Sequence, residues 1–387
     1  VQREGVEIEA VEVSQLGAPE RELWRRFRAA DSALASPYFD LRFVEIAAQV
    51  APGAGLAIVR EGGAIRGFLP FQARGALLQP MAAPLSDFHG LIAEPGWAVA
   101  SMLPRMDSIR RARFSGLVRA GEEDLSGMSP RRAMAADLSK GFDAYMAGRD
   151  AAFLKDKRRR RRALERDHGH IAFTLERPQP EEVSWVLERK RQQINRTHQY
   201  DVFACGWTTE LVRRLGQVDD EDFGLRLACL KAGGTVVAAE LGLLSGGRYH
   251  LWFPVYERAY AKYSPGSLMT LDTLEHLAAR GIGRVDFGVD ADAYKHDFAD
   301  PAEVVFEGLV ERRLSSRGGE LRLFGGMRLA RRFDRIVACE PGLVGQLRGG
   351  AGFLAGVARR HPRLGAGLGA GLGMSLGLGL SLALLAD

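Results

Sequence analysis

Three cysteines in 387 residues, Cys205, Cys229 and Cys339, are too few and too scattered for a disulfide framework or a zinc cluster. Such sparing use of thiols fits a reducing, cytoplasmic compartment. H-E-x-x-H, Walker A and C-x-x-C are all missing, and the eight histidines form no ligand pattern beyond His168-Gly-His170, which is too short to count. These absences speak against metalloenzymes, and no metal site is expected. The opening stretch VQREGVEIEAVEVSQ has no apolar segment of the kind that starts a secretion signal.

Hydrophobic residues make up 46% of the chain and charged residues 26%, the balance of a folded globular protein. The length favours two domains of ordinary size. The formal net charge of +5 is segregated: residues 155–169 carry a net +5 and residues 311–363 a net +8, so the remainder is acidic. A nucleic-acid binder more often spreads its positive charge over a face.

Leu23, Trp24 and Phe27 recur at helical spacing and predict a helix around 20–30. In 56–72, two apolar runs flank Gly62-Gly63, the pattern of a β-hairpin with a tight turn. Residues 81–96, MAAPLSDFHGLIAEPG, read as a loop rich in turn formers, and a helix-and-strand region follows to about 138. The hairpin then recurs. Leu230-Lys231-Ala232-Gly233-Gly234-Thr235-Val236 mirrors Val59-Arg60-Glu61-Gly62-Gly63-Ala64-Ile65, which points to two similar α/β units in tandem.

Between the two hairpins, residues 143–168 are strongly helical and include the run Arg158 to Arg162, either a solvated helix face or an anion site. A further helix is expected at 181–199, then strands at 223–231, 235–244 and 248–253. The helix at 267–280 carries Leu268, Leu271, Leu274 and Ala278 on one face and ends at Gly281 and Gly283. Strands at 284–287 and 302–310 complete the pattern, which implies a mixed sheet with a local parallel pair. Past residue 312 come a basic amphipathic segment at 321–337 and a basic knot at 359–363. The uncharged run 364–386 is long enough to span a bilayer, but its seven glycines equally suit a disordered tail.

The chemistry gathers at 256–295. Ser264-Pro265-Gly266-Ser267 opens a helix, and the strand after that helix ends in Asp286-Phe287-Gly288. A helix N-terminus offers unpaired N–H groups and the positive end of the helix dipole, which suits a cofactor phosphate.

Taken in order, the arginine-rich helix (157–165), the Gly-Gly hairpin with its Ala-Ala strand (233–241), Tyr263-Ser264-Pro265-Gly266, Asp286-Phe287-Gly288 and Tyr294-Lys295 resemble the acetyltransferase domain of CelD/BcsL-type proteins. That family is a branch of the GNAT superfamily linked to cellulose and exopolysaccharide synthesis, and it is related to FemABX-type transferases. The resemblance covers roughly 142–310. It implies an acyl-CoA donor, acetyl-CoA, with its pyrophosphate at Tyr263, Ser264, Gly266, Ser267 and Leu268 and its pantetheine arm between the strands at 248–253 and 284–287. Two departures stand out: Pro265 has no N–H to donate, and Asp290 stands where the family often has glycine.

Glu240, a carboxylate in an apolar strand beside that channel, is the candidate catalytic base, its pKa raised by burial to suit that work, unless it lies on the strand's wet face. Asp286, at a strand end, is the second candidate, or it caps the following turn. Asp290, Tyr294 and Lys295 are candidate acceptor-binding residues. His250 reads as structural.

The expected fold is α/β (α+β): tandem GNAT-like units with a mixed, mostly antiparallel sheet, flanking helices and a local parallel strand pair. The expected division is 1–138, 139–312, a basic helical segment at 313–363 and an apolar tail at 364–387. The expected activity is acetyl transfer from acetyl-CoA to an amine or hydroxyl acceptor, with an envelope polysaccharide precursor as one class of acceptor. The alternatives are a FemABX-like transferase using aminoacyl-tRNA and a non-catalytic scaffold of a polysaccharide synthase, docked on a membrane through its C-terminus.

Overall fold

The computed structural model describes residues 5–106, 108–121, 125, 128–197, 199–289, 293–311 and 336–360. Asp290, most of the basic amphipathic segment and the apolar tail lie outside these residues.

Most of the chain, Val1–Lys190 with Cys205–Gly319, forms one compact unit. Its strands are β1 (Val6–Val11), β2 (Ala54–Glu61), β3 (Ala64–Arg74), β4 (Leu77–Pro80), β5 (Ile92–Ala93), β6 (Arg111–Leu117), β7 (Met128–Asp137), β8 (Ile171–Glu176), β9 (Phe223–Ala232), β10 (Thr235–Ser245), β11 (Arg248–Tyr256), β12 (Arg284–Val289) and β13 (Asp300–Glu311). The helices are α1 (Ala18–Ala29), α2 (Leu41–Val50), α3 (Phe142–Ala147), α4 (Ala151–His168), α5 (Pro180–Arg196), α6 (Trp207–Gly216) and α7 (Pro265–Ala279).

The described strands join one sheet in the order β1-β2-β3-β4-β6-β13-β7-β12-β11-β10-β9-β8, with β5 attached to β3. Pairing is antiparallel except between β4 and β6 and between β11 and β12. The sheet is therefore nearly palindromic. Four strands lead from each edge to a parallel step, and the two halves meet at β13 and β7. Each half borrows a strand at that seam: β13, encoded at the end of the second half, pairs with β6, and β7, encoded in the first, pairs with β12.

The repeated hairpins occupy matching places. Gly62-Gly63 and Gly233-Gly234 are two-residue turns with φ of +58° and +79°, and of +56° and +82°. Positive φ at both positions matches the twist of a tight hairpin and favours glycine. The loop expected at 81–96 contains β5. The helix expected before 138 is absent among the described residues, where two single 3-10 turns, Val99–Ser101 and Leu103–Arg105, stand in its place.

In α1, Trp24 and Phe27 face inward as their spacing demands, and Trp24 Nε1 donates to the Phe39 carbonyl at 2.9 Å. Helix α7 is buried over more than one stripe: Leu268, Met269, Thr273, Leu274 and Leu277 are all within the core. It packs on β8 to β11 beneath and on α3 and α4 beside, so polar Thr270 and Thr273 turn their hydroxyls back to its own carbonyls. Gly281, with φ of +78°, ends it.

The second unit comprises Arg191–Ala204 and Glu320–Asp387. Its described part includes helix α8 (Leu343–Arg360), with Tyr200 donating from its hydroxyl to Glu340 Oε1 at 2.8 Å. Among the described residues no helix is long and apolar enough to cross a membrane.

Candidate active site

Two parallel strands that pair briefly and then part define the site. β11 and β12 share only three register pairs, Arg248 with Arg284, Tyr249 with Val285 and His250 with Asp286. Beyond His250 the strands separate, and β11 bulges against β10: Leu241 faces Phe253 while Gly242 faces Leu251, leaving Trp252 as the extra residue. The backbone N–H of Trp252 is taken by the Glu240 carboxylate.

Glu240 is 2% exposed, its Oε1 has no hydrogen-bond partner, and burial pushes its pKa up to about 8 against the pull of Lys190. It is thus mostly protonated at neutral pH, a proton donor held beside the gap. Across the ladder it faces Ala228, which belongs to the core cluster under α7. The wet-face reading of Glu240 is thereby excluded. The Tyr249 hydroxyl lies where a Cβ on Gly242 would sit, buried and unpartnered, and burial together with the Glu240 charge raises its pKa well above the ordinary value.

The turn before α7 presents backbone rather than side chains. Tyr263 and Leu268 are buried. The Tyr263 hydroxyl donates to Asp167 Oδ2 at 2.7 Å and lies 3.2 Å from His168 Nε2, which ties the turn to the end of α4. Ser264 adopts a left-handed conformation, φ +53°, and Pro265 takes the first helical position, where its missing N–H costs no helical bond. The amides of Gly266 and Ser267 follow in the first turn, and space beside Gly266 is open. Along α4, Arg160 donates to the Lys262 carbonyl and Arg161 to Asp272 Oδ1 at 2.7 Å, so part of the arginine run braces this turn.

Asp286 is fully buried and locked in a charge network. Its Oδ1 accepts from Arg284 Nε at 2.8 Å, its Oδ2 lies 3.7 Å from Arg248 Nη1, and Glu303 binds the far side of Arg284. This network borders a cleft of about 1280 Å³ that also takes in Arg28, Asp40, Arg42 and Ser245. The cleft opens at the starts of β11 and β12, whereas ligands of open α/β sheets collect at the carboxyl ends of strands. We therefore centre the candidate site on the parting strands.

Sequence reasoning passed over two residues there. His250, on the last paired step of β11, is buried, and its Nε2 stands 3.1 Å from Asp87 Oδ2 without the alignment of a hydrogen bond. Asp87 comes from the 81–96 loop of the first half. Leu85 in that loop accepts from Trp252 Nε1 at 2.9 Å, and the rings of Tyr38 and Phe88 stand 5.0 and 6.0 Å from His250. The Asp87 carboxylate also fills the space a Cβ on Gly288 would occupy. Burial works to raise the Asp87 pKa, but the contact with His250 and the charges of His250, Lys295 and His89 outweigh it and hold the carboxylate below its usual range. Lys295 thus belongs to the surroundings of Asp87. Tyr294 beside it is 48% exposed. A hint was available in sequence: titratable residues embedded in an apolar loop, Ser86-Asp87-Phe88-His89, suit burial near a site better than a surface turn.

Among the described residues no group of His, Cys, Asp and Glu is placed to hold a metal ion. Residues 151–296 match a family described as an acetyltransferase (GNAT) domain, and the match runs from α4 to the turn that carries Lys295. The fold is similar to the crystal structure of FemX, at 12% identity over 79% of this chain and 97% of that one, with a TM-score of 0.52. It is also similar to a tandem GNAT protein from the clavulanic acid biosynthesis pathway, at 13% identity over 80% of this chain and all of that one, with a TM-score of 0.48. No curated protein matches the chain.

Proposed function

We propose that this chain, whose residues 151–296 carry a GNAT acetyltransferase domain, transfers an acetyl group from acetyl-CoA to an acceptor amine, with β11, β12 and the start of α7 forming the donor site. The observation that supports this reading is the three-pair parallel step between β11 and β12, which opens directly past His250 and Asp286. Separated strands leave edge amides and carbonyls free to pair with the amide-bearing pantetheine arm. The amides of Gly266 and Ser267, at the positive end of α7, would take the pyrophosphate.

When bound, the CoA thioester supplies an activated acyl carbon. The residues around it do the rest. Neutral Glu240, beside the gap, is suited to give a proton to the departing sulfur. Asp286, pinned by Arg284 and Arg248, fixes the strand that faces it. Tyr294 and Lys295, on the turn after β12, are set to line the acceptor side. An envelope polysaccharide precursor is the acceptor class that the sequence resemblance suggests.

Calorimetric titration with acetyl-CoA tests the donor site. Saturable binding well below millimolar donor is expected. Gly266→Asp should weaken it by about tenfold or more, because a carboxylate would face the pyrophosphate, while the melting temperature holds or rises, since an acid in the first turn favours the helix. Absence of binding at millimolar acetyl-CoA would reject the donor, and retention of aminoacyl-tRNA in its place would favour the FemABX-like alternative.

A further inference from the structure

We propose that Asp87, contributed by the first half of the chain, is the carboxylate that receives the acceptor amine in the second half's site, with His250 as its positioning residue. The proposal rests on the donor reading above. Three observations carry it.

The first is position. Asp87 Oδ2 touches both strands at the point where they part, His250 of β11 on one side and Gly288 of β12 on the other. Side chains alternate along β11, and Tyr249 belongs to the core under α7, so His250 and Asp87 lie on the opposite face of the sheet. A donor anchored at α7 would thread the gap from one face, and its acyl carbon would emerge beside a carboxylate waiting on the other.

The second is access. Protein surrounds Asp87 closely, yet 41% of its side chain is open to solvent, while His250, Tyr38, Phe88 and Gly288 around it are buried. A carboxylate in that setting lines a recess. It is also held firmly: Trp252 clamps Leu85, and the Asp87 carbonyl lies where a Cβ on Gly116 would be.

The third is charge. Asp87 is ionised at neutral pH, facing His250 from β11, Lys295 from the turn after β12, Tyr38 from the first half and His89 from its own loop. Burial drives His89 down to about 4, so it is neutral at pH 7, and the Tyr38 hydroxyl is pushed well above its ordinary value by burial. An accessible anion here attracts an ammonium group.

The reaction then balances. The ammonium docks on Asp87 and gives up a proton through it to solvent. The amine nitrogen attacks the thioester carbonyl carbon, a C–N bond forms and the C–S bond breaks. Of the three ammonium protons, one stays on the amide, one leaves through Asp87 to solvent and one restores Glu240 after it has protonated the CoA sulfur.

Two unreactive thioethers test the proposal without knowledge of the natural acceptor: S-(2-aminoethyl)-CoA, which tethers an ammonium at the acyl position, and S-propyl-CoA, its neutral isostere. Wild-type protein should bind the ammonium compound about tenfold or more tightly. Asp87→Asn should erase that preference while leaving S-propyl-CoA affinity unchanged, and His250→Gln should reduce it. Equal binding of both compounds by wild-type protein, or a preference that survives Asp87→Asn, overturns the proposal. The wild-type ratio alone suffices if the variant fails to fold. If neither compound nor acetyl-CoA binds, the donor reading fails and this inference goes with it.

Discussion

Gly288 makes room for Asp87: a Cβ on Gly288 would collide with the Asp87 Oδ2, and it would stand 3.7 Å from His250 Cε1. The same glycine has φ of +79°, a conformation that L side chains rarely adopt. Steric room and backbone conformation therefore select glycine independently.

Gly288→Ala should accordingly cost about 1–3 kcal/mol in stability. It should also displace the 81–96 loop, which chemical denaturation and loss of Trp252 fluorescence anisotropy against a Trp252-only background would both register. An alanine variant with wild-type stability and an unmoved loop would contradict the close approach.

Glu240 gives a pH signature. Its folded pKa of about 8 stands above the ordinary 4.5, so between those values the folded state keeps a proton that the unfolded chain has lost. Stability must then fall as pH rises through this window, by up to about 1.4 kcal/mol per pH unit from this group. Glu240→Gln, which cannot ionise, should be more stable than wild type at pH 8 and close to it at pH 5. Parallel denaturation curves at the two pH values would show that Glu240 is not held protonated.

Asp40 predicts the opposite slope. It accepts from Arg28 Nη1 at 3.0 Å, Arg42 Nη2 at 2.9 Å and Ser245 Oγ at 2.7 Å. Burial works to raise its pKa, but Arg42, Arg28 and Ser245 outweigh that and lower it. The stability it confers is present above pH 3.8 and lost as pH falls through the depressed folded value. Asp40→Asn should cost about 3 kcal/mol at pH 7, because Arg28 loses its counter-charge, and less in acid. Urea titrations at pH 7 and pH 4 measure both.

Local patterns were readable in the sequence and distant pairings were not. The Gly-Gly turns disclosed the two matching hairpins because a two-residue hairpin has a residue signature. The Ser264-Pro265-Gly266-Ser267 turn disclosed the start of α7 for the same reason, and Glu240 stood out as a carboxylate among Ala238, Ala239 and Leu241. Asp87 and His250 carry no such mark, since their meeting depends on how a first-half loop crosses strands of the second half. His250 looked structural because its alternation with Tyr249 fixes only a face, not what waits there. Asp286 illustrates a further limit: it was expected at a strand end, yet β12 runs on to Val289, and its capture by Arg284 and Arg248 depends on three-dimensional neighbours.

The exchange of β7 and β13 has a consequence for biosynthesis. A chain emerges from the ribosome N-terminus first, yet the strand that completes the first half's sheet beside β6 is residues 300–311. Until then β6 presents an open edge, the kind of surface that pairs with the wrong strand. The first half to be made is thus the last to be finished, and the two halves mature as one product rather than in succession.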